Sequence, residues 1–72
     1  MSGKQLENVA LRPGESIMVN VHGVGYLDIE ISAGGRCFIK GPPLKSSRTI
    51  LEFSEMAGFR EVSEREYAAA MD

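Results

Sequence analysis

Apolar and polar residues alternate along two stretches in the first half of the chain, SIMVNVH at residues 16–22 and YLDIEIS at residues 26–32. A period of two is typical of a β-strand with one apolar and one polar face. The pattern therefore predicts two strands whose apolar side chains share one face of a sheet. The residues predicted to be buried together on that face are Val19, Val21, Leu27, Ile29, Ile31 and, from a later strand, Ile39.

Glycines separate the two alternating stretches. Residues 23–25, Gly-Val-Gly, are predicted to close a hairpin that places His22 opposite Tyr26 and Asn20 opposite Asp28. This pairing keeps the apolar residues of both strands on one face.

Further turn signals extend the meander in both directions. Residues 12–15, Arg-Pro-Gly-Glu, follow a short predicted strand at residues 9–11. Residues 33–36 lead into a strand at residues 37–39, and the prolines of residues 41–43 end it because proline lacks a backbone N–H. The first half therefore predicts four antiparallel strands.

The second half is compatible with two structures. Residues 49–52 have the form of a helix capping box, and Gly58 would then end a helix. Residues 48–53 also carry the β-branched and aromatic side chains of a strand, with a partner at residues 58–62. We favour the strands, because they cover an otherwise open sheet edge.

A clearer capping box, Ser-Glu-Arg-Glu, opens residues 63–72 and predicts a short C-terminal helix. The chain is predicted to be a single domain, with an N-terminal arm at 1–5, a β-rich core at 6–62 and this helix. The predicted fold class is mainly β: a small antiparallel meander, a sandwich or a partly closed barrel of five to six strands. The alternative is an α+β fold with a helix at about 49–57.

Size and charge narrow the function classes. A chain of 72 residues forms a small domain of marginal stability, so we expect a homo-oligomer or a bound protein partner. The net charge of −2 supplies no cationic field, so neither nucleic acid nor a membrane is an expected partner. One cysteine excludes an internal disulfide, and the first residues lack the apolar stretch of a signal peptide. These features predict a cytoplasmic protein or a component of a particle assembled there.

Neither an enzyme nor a cofactor is predicted. The glycines at residues 23–25 lead into a strand rather than a helix, so they do not form a dinucleotide-binding loop. Cys37 lacks a base, because the only histidine lies on another strand. His22, Asp28 and Glu30 share a predicted polar face, but one histidine without a second donor of fixed spacing does not make a metal site.

Polar and charged side chains are the predicted contacts for a protein partner. Tyr26 is notable, because an aromatic side chain on a polar face is typical of a contact residue. The predicted set is Asn20, His22, Tyr26, Asp28, Glu30, Arg48, Arg60, Glu64 and Glu66. The capping box at Ser63 already accounts for Glu66, and the preference of helix N-termini for acidic residues accounts for Glu64, so we place a structural role of both slightly ahead of a binding role.

Four segments combine a Pro-Gly-Glu-Ser turn with a glycine-rich alternating meander: LRPGESIMV, GVGYLDIEI, RTILEF and FREV. Together they resemble the small β-sandwich proteins that decorate heads or form the base of fibres in tailed bacteriophages. The resemblance implies a non-enzymatic, homo-oligomeric virion structural protein. Such a protein docks on a capsid or other lattice protein, in the virion or in the host cytoplasm.

Two other function classes stay open. The acidic C-terminal end lies outside the resemblance and suits a small phage-type regulator or inhibitor that binds a host protein, including an anti-defence protein. An oligomeric binder of a small ligand or nucleotide is the third hypothesis.

Overall fold

The computed structural model describes residues 10–72. It contains one antiparallel sheet in which the strands lie in chain order, followed by a helix. The strands are β1 (Ser16–Val21), β2 (Gly25–Ile31), β3 (Cys37–Lys40), β4 (Ile50–Ser54) and β5 (Gly58–Val62), and the helix is α1 (Glu64–Met71). The prediction of a mainly β fold with a short C-terminal helix is confirmed.

Of the three predicted β architectures, the meander is the one that forms. The sheet is a single open layer, with β1 and β5 at its opposite edges. Each strand pairs with the next one in the chain, so all four pairings are antiparallel, with connections of three, five, nine and three residues.

The alternative of a helix at about 49–57 is wrong. β4 and β5 pair directly, and Phe53 lies opposite Phe59 with ring centroids 5.0 Å apart. The hydroxyl of Ser54 accepts a hydrogen bond from the Ala57 backbone N–H (3.1 Å), and Gly58 has a φ of +73°. Gly58 therefore ends a turn between two strands. A positive φ is typical of glycine both at the end of a turn and after a helix, which is why the sequence was compatible with either structure.

The first hairpin has a different register from the predicted one. Asn20 lies opposite Tyr26 and Val21 opposite Gly25, so the loop consists of residues 22–24 and His22 is not in a strand. The Val24 N–H donates to the Val21 carbonyl (2.9 Å) and closes this three-residue loop. The shift moves each partner by two residues, and for that reason it leaves the apolar face unchanged.

The predicted turn at residues 12–15 is present, and it is tied to the sheet. The Glu15 N–H donates to the Arg12 carbonyl (3.0 Å), and the Gly14 N–H donates to the Ile31 carbonyl (2.8 Å). The strand predicted before this turn is not supported. Leu11 lies outside any strand, and Val9 lies outside the described residues.

Helix α1 packs on one face of the sheet, which we call the helix-side face. The buried apolar side chains of the described residues are Phe38, Ile50 and Val62, with Tyr67 and Ala70 of the helix against them. Ser63 caps the helix by accepting a hydrogen bond from the Glu66 N–H (3.0 Å). The small core of the chain therefore lies between α1 and strands β3 to β5.

The other face of the sheet carries most of the large aliphatic side chains, and we call it the open face. Its apolar members are Ile17, Val19, Val21, Leu27, Ile29, Ile31, Cys37, Ile39, Leu51, Phe53 and Phe59. The six residues predicted to be buried together do share this face, but all six are only half-buried. The prediction of their burial is wrong for the single chain, because the helix covers the opposite face.

Candidate protein interface

The open face is built of rows of apolar side chains that run across the strands. Register places Ile17, Ile29, Ile39 and Leu51 side by side on β1 to β4. A second row consists of Ile31, Cys37, Phe53 and Phe59 on β2 to β5. Adjacent strands lie about 4.8 Å apart, so each row is a continuous apolar ridge.

Two phenylalanines form the most exposed corner of the open face. Phe53 is 40% exposed and Phe59 is 62% exposed, although their rings contact each other at a tilt of 51°. Aromatic side chains are enriched in protein interfaces, and exposed apolar patches often mark such interfaces. This corner is therefore a candidate contact point for a partner.

Charge is almost absent from the open face. Among the residues of the five strands, Glu61 at the end of the first row is the one charged side chain on this face. Glu61 lies on the edge strand β5, is exposed and has Lys45 Nζ 3.5 Å away. Any contact made with the centre of the face would therefore be apolar rather than charged.

The helix-side face, in contrast, carries a ring of four alternating charges. Arg36 donates to both oxygens of Glu52, from Nε (2.8 Å) and Nη2 (2.9 Å), and also from Nη2 to Glu66 (2.8 Å). Arg60 Nη2 donates to Glu52 (2.6 Å) and to Glu66 (2.7 Å). Because Glu66 is on α1 and the other three residues precede the helix, this ring fastens the helix to the sheet.

The ring shifts the acidity of its members. The hydrogen bonds from Arg36, and then from Arg60, lower the pKa of Glu52 to about 2. The hydrogen bonds from Arg60 and Arg36 likewise lower the pKa of Glu66 below its ordinary value. Glu66 thus binds two arginines, and its side chain does not return to the Ser63 backbone as a complete capping box requires.

A second polar group holds the middle of the helix. Tyr67 donates a hydrogen bond to Glu30 and accepts one from Lys40 Nζ (2.8 Å), and Lys40 also pairs with Glu30 at 3.5 Å. Burial alone would raise the pKa of Glu30, but the Tyr67 hydrogen bond and the Lys40 charge lower it. Burial and the neighbouring charge of Glu30 raise the pKa of Asp28.

These shifts predict that acid weakens the fold. A carboxyl whose pKa is lower in the folded chain stabilises it above the ordinary value of 4.5, and this contribution disappears as the pH falls through the folded value. The pKa is lowered for three carboxyls, Glu30, Glu52 and Glu66, and raised for Asp28, so protonation of Asp28 alone stabilises the fold. We therefore expect the melting temperature to fall between about pH 5 and about pH 2.

The matched variant for this measurement is Glu52→Gln, which is uncharged at position 52 at every pH. Its melting temperature should be lower than that of the wild type at neutral pH and should decrease less on acidification, because the introduced amide has no proton to gain. Thermal melts of both proteins across this range provide the comparison. Equal acid sensitivity would mean that Glu52 contributes nothing to the pH dependence.

The predicted contact residues are dispersed over the helix-side face and the loops. Asn20, Tyr26 and Asp28 lie on the part of that face that α1 does not cover, and Tyr26 is 55% exposed. Tyr26 and Asp28 line a shallow groove of about 270 Å³, whose other lining residues are Met18, Leu27, Lys40, Gly41, Pro42 and Ser47.

The remaining predicted contacts fall into two groups. His22 in the first hairpin loop, Arg48 in the loop before β4 and Glu64 in the first turn of α1 are exposed. In contrast, Glu30, Arg60 and Glu66 are engaged in the ion pairs described above. Their roles in binding stay predictions.

Across residues 10–72, no group of three or more His, Cys, Asp or Glu side chains has the arrangement of a metal site. Asp28 and Glu30 do lie together, but their basic neighbour is Lys40 and not His22. Cys37 lies on the open face, where burial and the charge of Glu52 raise its pKa and keep the thiol protonated.

The open-face residues were missed as contacts by reasoning from sequence, although their signal was present. Alternation identified most of them as one apolar face, and that face was assigned to the interior.

Within the described part of the chain, no helix is long and apolar enough to span a membrane. Comparison with protein-family models, with curated proteins and with solved structures gave no match.

Proposed function

We propose that this protein is a non-enzymatic component that works by binding protein through its open face. The observation that supports the proposal most strongly is the contrast between the two faces of the sheet. One face carries the helix and a satisfied network of ion pairs, while the other presents eleven apolar side chains of which none is buried. Contiguous apolar surface of this kind typically marks a protein interface.

We further propose that the role is structural and phage-like, in a virion component that self-associates and docks on a larger lattice protein. Two features support this role: the resemblance of four segments to head-decoration and fibre-base proteins, and the open β layer that suits assembly. Adjacent capsid or tail genes in the source genome would favour it. A neighbouring defence or regulatory locus would instead favour the inhibitor hypothesis.

The inhibitor hypothesis depends on a free acidic surface near the C-terminal end. Glu66 is paired with two arginines, and Glu61 has Lys45 at 3.5 Å. Ion pairs within the chain therefore neutralise part of the charge that would mimic nucleic acid. For this reason we place the structural role ahead.

A capture experiment with two matched variants tests the binding role of the open face. Ile39→Lys places a charge at the centre of that face, and Met18→Lys places the same charge at a 63% exposed position of the helix-side face. The tagged proteins are expressed in the native source beside an untagged copy, and all bound chains are identified.

We expect at least one chain to be bound by the wild type and by Met18→Lys and to be lost with Ile39→Lys, because a buried unpaired charge opposes association. Met18 lies opposite Asp28, so its replacement by lysine introduces no repulsion. If both variants retain the same chains as the wild type, the open face is not the binding surface.

A further inference from the structure

We infer that the occupant of the open face is a second copy of this chain, so that two sheets pack face to face in a two-layer β-sandwich. This inference rests on the proposed function, because it names the partner of the same surface. In such a dimer the two open faces form a shared core, and the helices lie on the outer surfaces. The dimer would thus provide the sandwich that the single chain does not form.

The size of the open face matches that of a small specific interface. Five strands about 4.8 Å apart make it about 20 Å wide, and strands of about five residues make it about 17 Å long. The face therefore has an outline of about 340 Å² per copy, and the relief of its side chains makes the accessible surface that each copy loses larger than this outline, so the contact belongs to the small class of interfaces.

The composition of the face makes it complementary to itself. A two-fold contact brings the same patch of both copies together, which is unfavourable for a patch that carries charge of one sign. Here the row around Ile39 on the central strand is apolar, and Glu61, the one charged strand residue on this face, lies at the end of the row on the edge strand. A contact centred near Ile39 leaves Glu61 at the solvated rim.

The need for a second layer also points to a copy. Three buried apolar side chains form the core of residues 10–72, which is small for a domain whose single cysteine allows no internal disulfide. A second sheet of the same width covers all eleven apolar positions of the open face.

Sedimentation velocity of purified protein across the micromolar range tests this inference. We expect the wild type and Met18→Lys to sediment with twice the chain mass of 7.8 kDa. Ile39→Lys should sediment as a monomer, with its dimer affinity reduced more than tenfold, because two lysines would be brought together in an apolar contact. A monomeric wild type, or a dimeric Ile39→Lys, would overturn the inference.

Cys37 supplies a second measurement that requires no folded variant. It is the one cysteine of the chain and lies on the open face, half-buried in the single chain. If two open faces meet, alkylation of Cys37 in the wild type should slow several-fold as the protein concentration rises through the range in which the dimer forms. If Ile39→Lys does not fold, this dependence decides the question, and its absence rules out the open-face dimer.

The two proposals fail in different ways. A monomeric wild type that still captures another protein through the open face contradicts the dimer and leaves the binding function intact. A dimer that Ile39→Lys does not dissociate contradicts the open-face dimer, whereas the binding function is contradicted only if Ile39→Lys also retains all the chains that the wild type captures.

Discussion

We expect Phe38→Ala to leave the protein largely unfolded at room temperature. Phe38 is fully buried, its ring meets Tyr67 edge-on with centroids 5.2 Å apart, and the Arg36 guanidinium lies over it at 5.2 Å. Removing a buried phenylalanine side chain costs about 3 to 5 kcal/mol. A core in a domain of this size rarely supplies more than about 3 to 5 kcal/mol, so the loss is comparable to the whole stability.

Circular dichroism melts and amide chemical-shift dispersion would measure this loss. The matched control is Phe59→Ala, because Phe59 is an aromatic residue of the same sheet but belongs to the exposed corner of the open face. That variant should retain a cooperative melt and lose association instead. A folded Phe38→Ala protein with an unchanged melting temperature would show that the core is not between α1 and the sheet.

The second large effect is expected at Gly41, directly after β3. Its φ is +155°, and a Cβ at this position would lie 2.6 Å from the Tyr26 carbonyl oxygen and 3.3 Å from the Leu27 Cα. Both neighbours are backbone atoms of β2, so neither can turn away as a side chain would. We expect Gly41→Ala to lower the free energy of unfolding by about 1 to 3 kcal/mol.

Gly34→Ala is the control for Gly41. Gly34 has no positive φ, and a Cβ there would have the Ser32 hydroxyl oxygen as its nearest neighbour at 3.9 Å, an ordinary contact. Its melting temperature should stay the same or rise slightly, because alanine restricts the unfolded chain. Denaturant unfolding of the two variants compares the sites. Equal stabilities would argue against the close approach of β2 and residue 41.

Local pattern predicted the secondary structure well, because each signal has a local cause. Alternation located β1 and β2, the prolines after Gly41 ended β3, and Ser63 began the helix. The strands after residue 48 were harder to distinguish from a helix, because Thr-Ile-Leu-Glu satisfies both patterns. Pairing with β5 and the Phe53–Phe59 contact decide it, and neither is local to that segment.

The register of the first hairpin shows where local reasoning fails. The glycines at residues 23 and 25 are compatible with a three-residue loop at 22–24, as observed, or at 23–25, as predicted. The two loops differ by two residues in strand pairing. Both choices keep Val19 and Leu27 on the same face, so hydrophobic pattern alone does not separate them.

The largest error concerned which face is covered. Alternation identifies an apolar face, and burial of that face within the chain was the natural expectation. The helix instead packs on the face that carries Phe38 together with several charged residues. These charges do not prevent the packing, because Arg36 and Arg60 are matched by carboxylates of the sheet and of the helix. Such matching over distant residues is not visible in the sequence.

Intermolecular methyl contacts are the most direct test of whether the open face packs against another copy of the chain. In an equal mixture of isotope-labelled and unlabelled protein, isotope-filtered nuclear Overhauser spectra report only contacts between chains. We predict such contacts from the methyl groups of Ile29, Ile39 and Leu51, on the central strands of the open face. Contacts confined to the methyl groups of Met18 and Met56, which lie outside that face, would contradict packing through the open face.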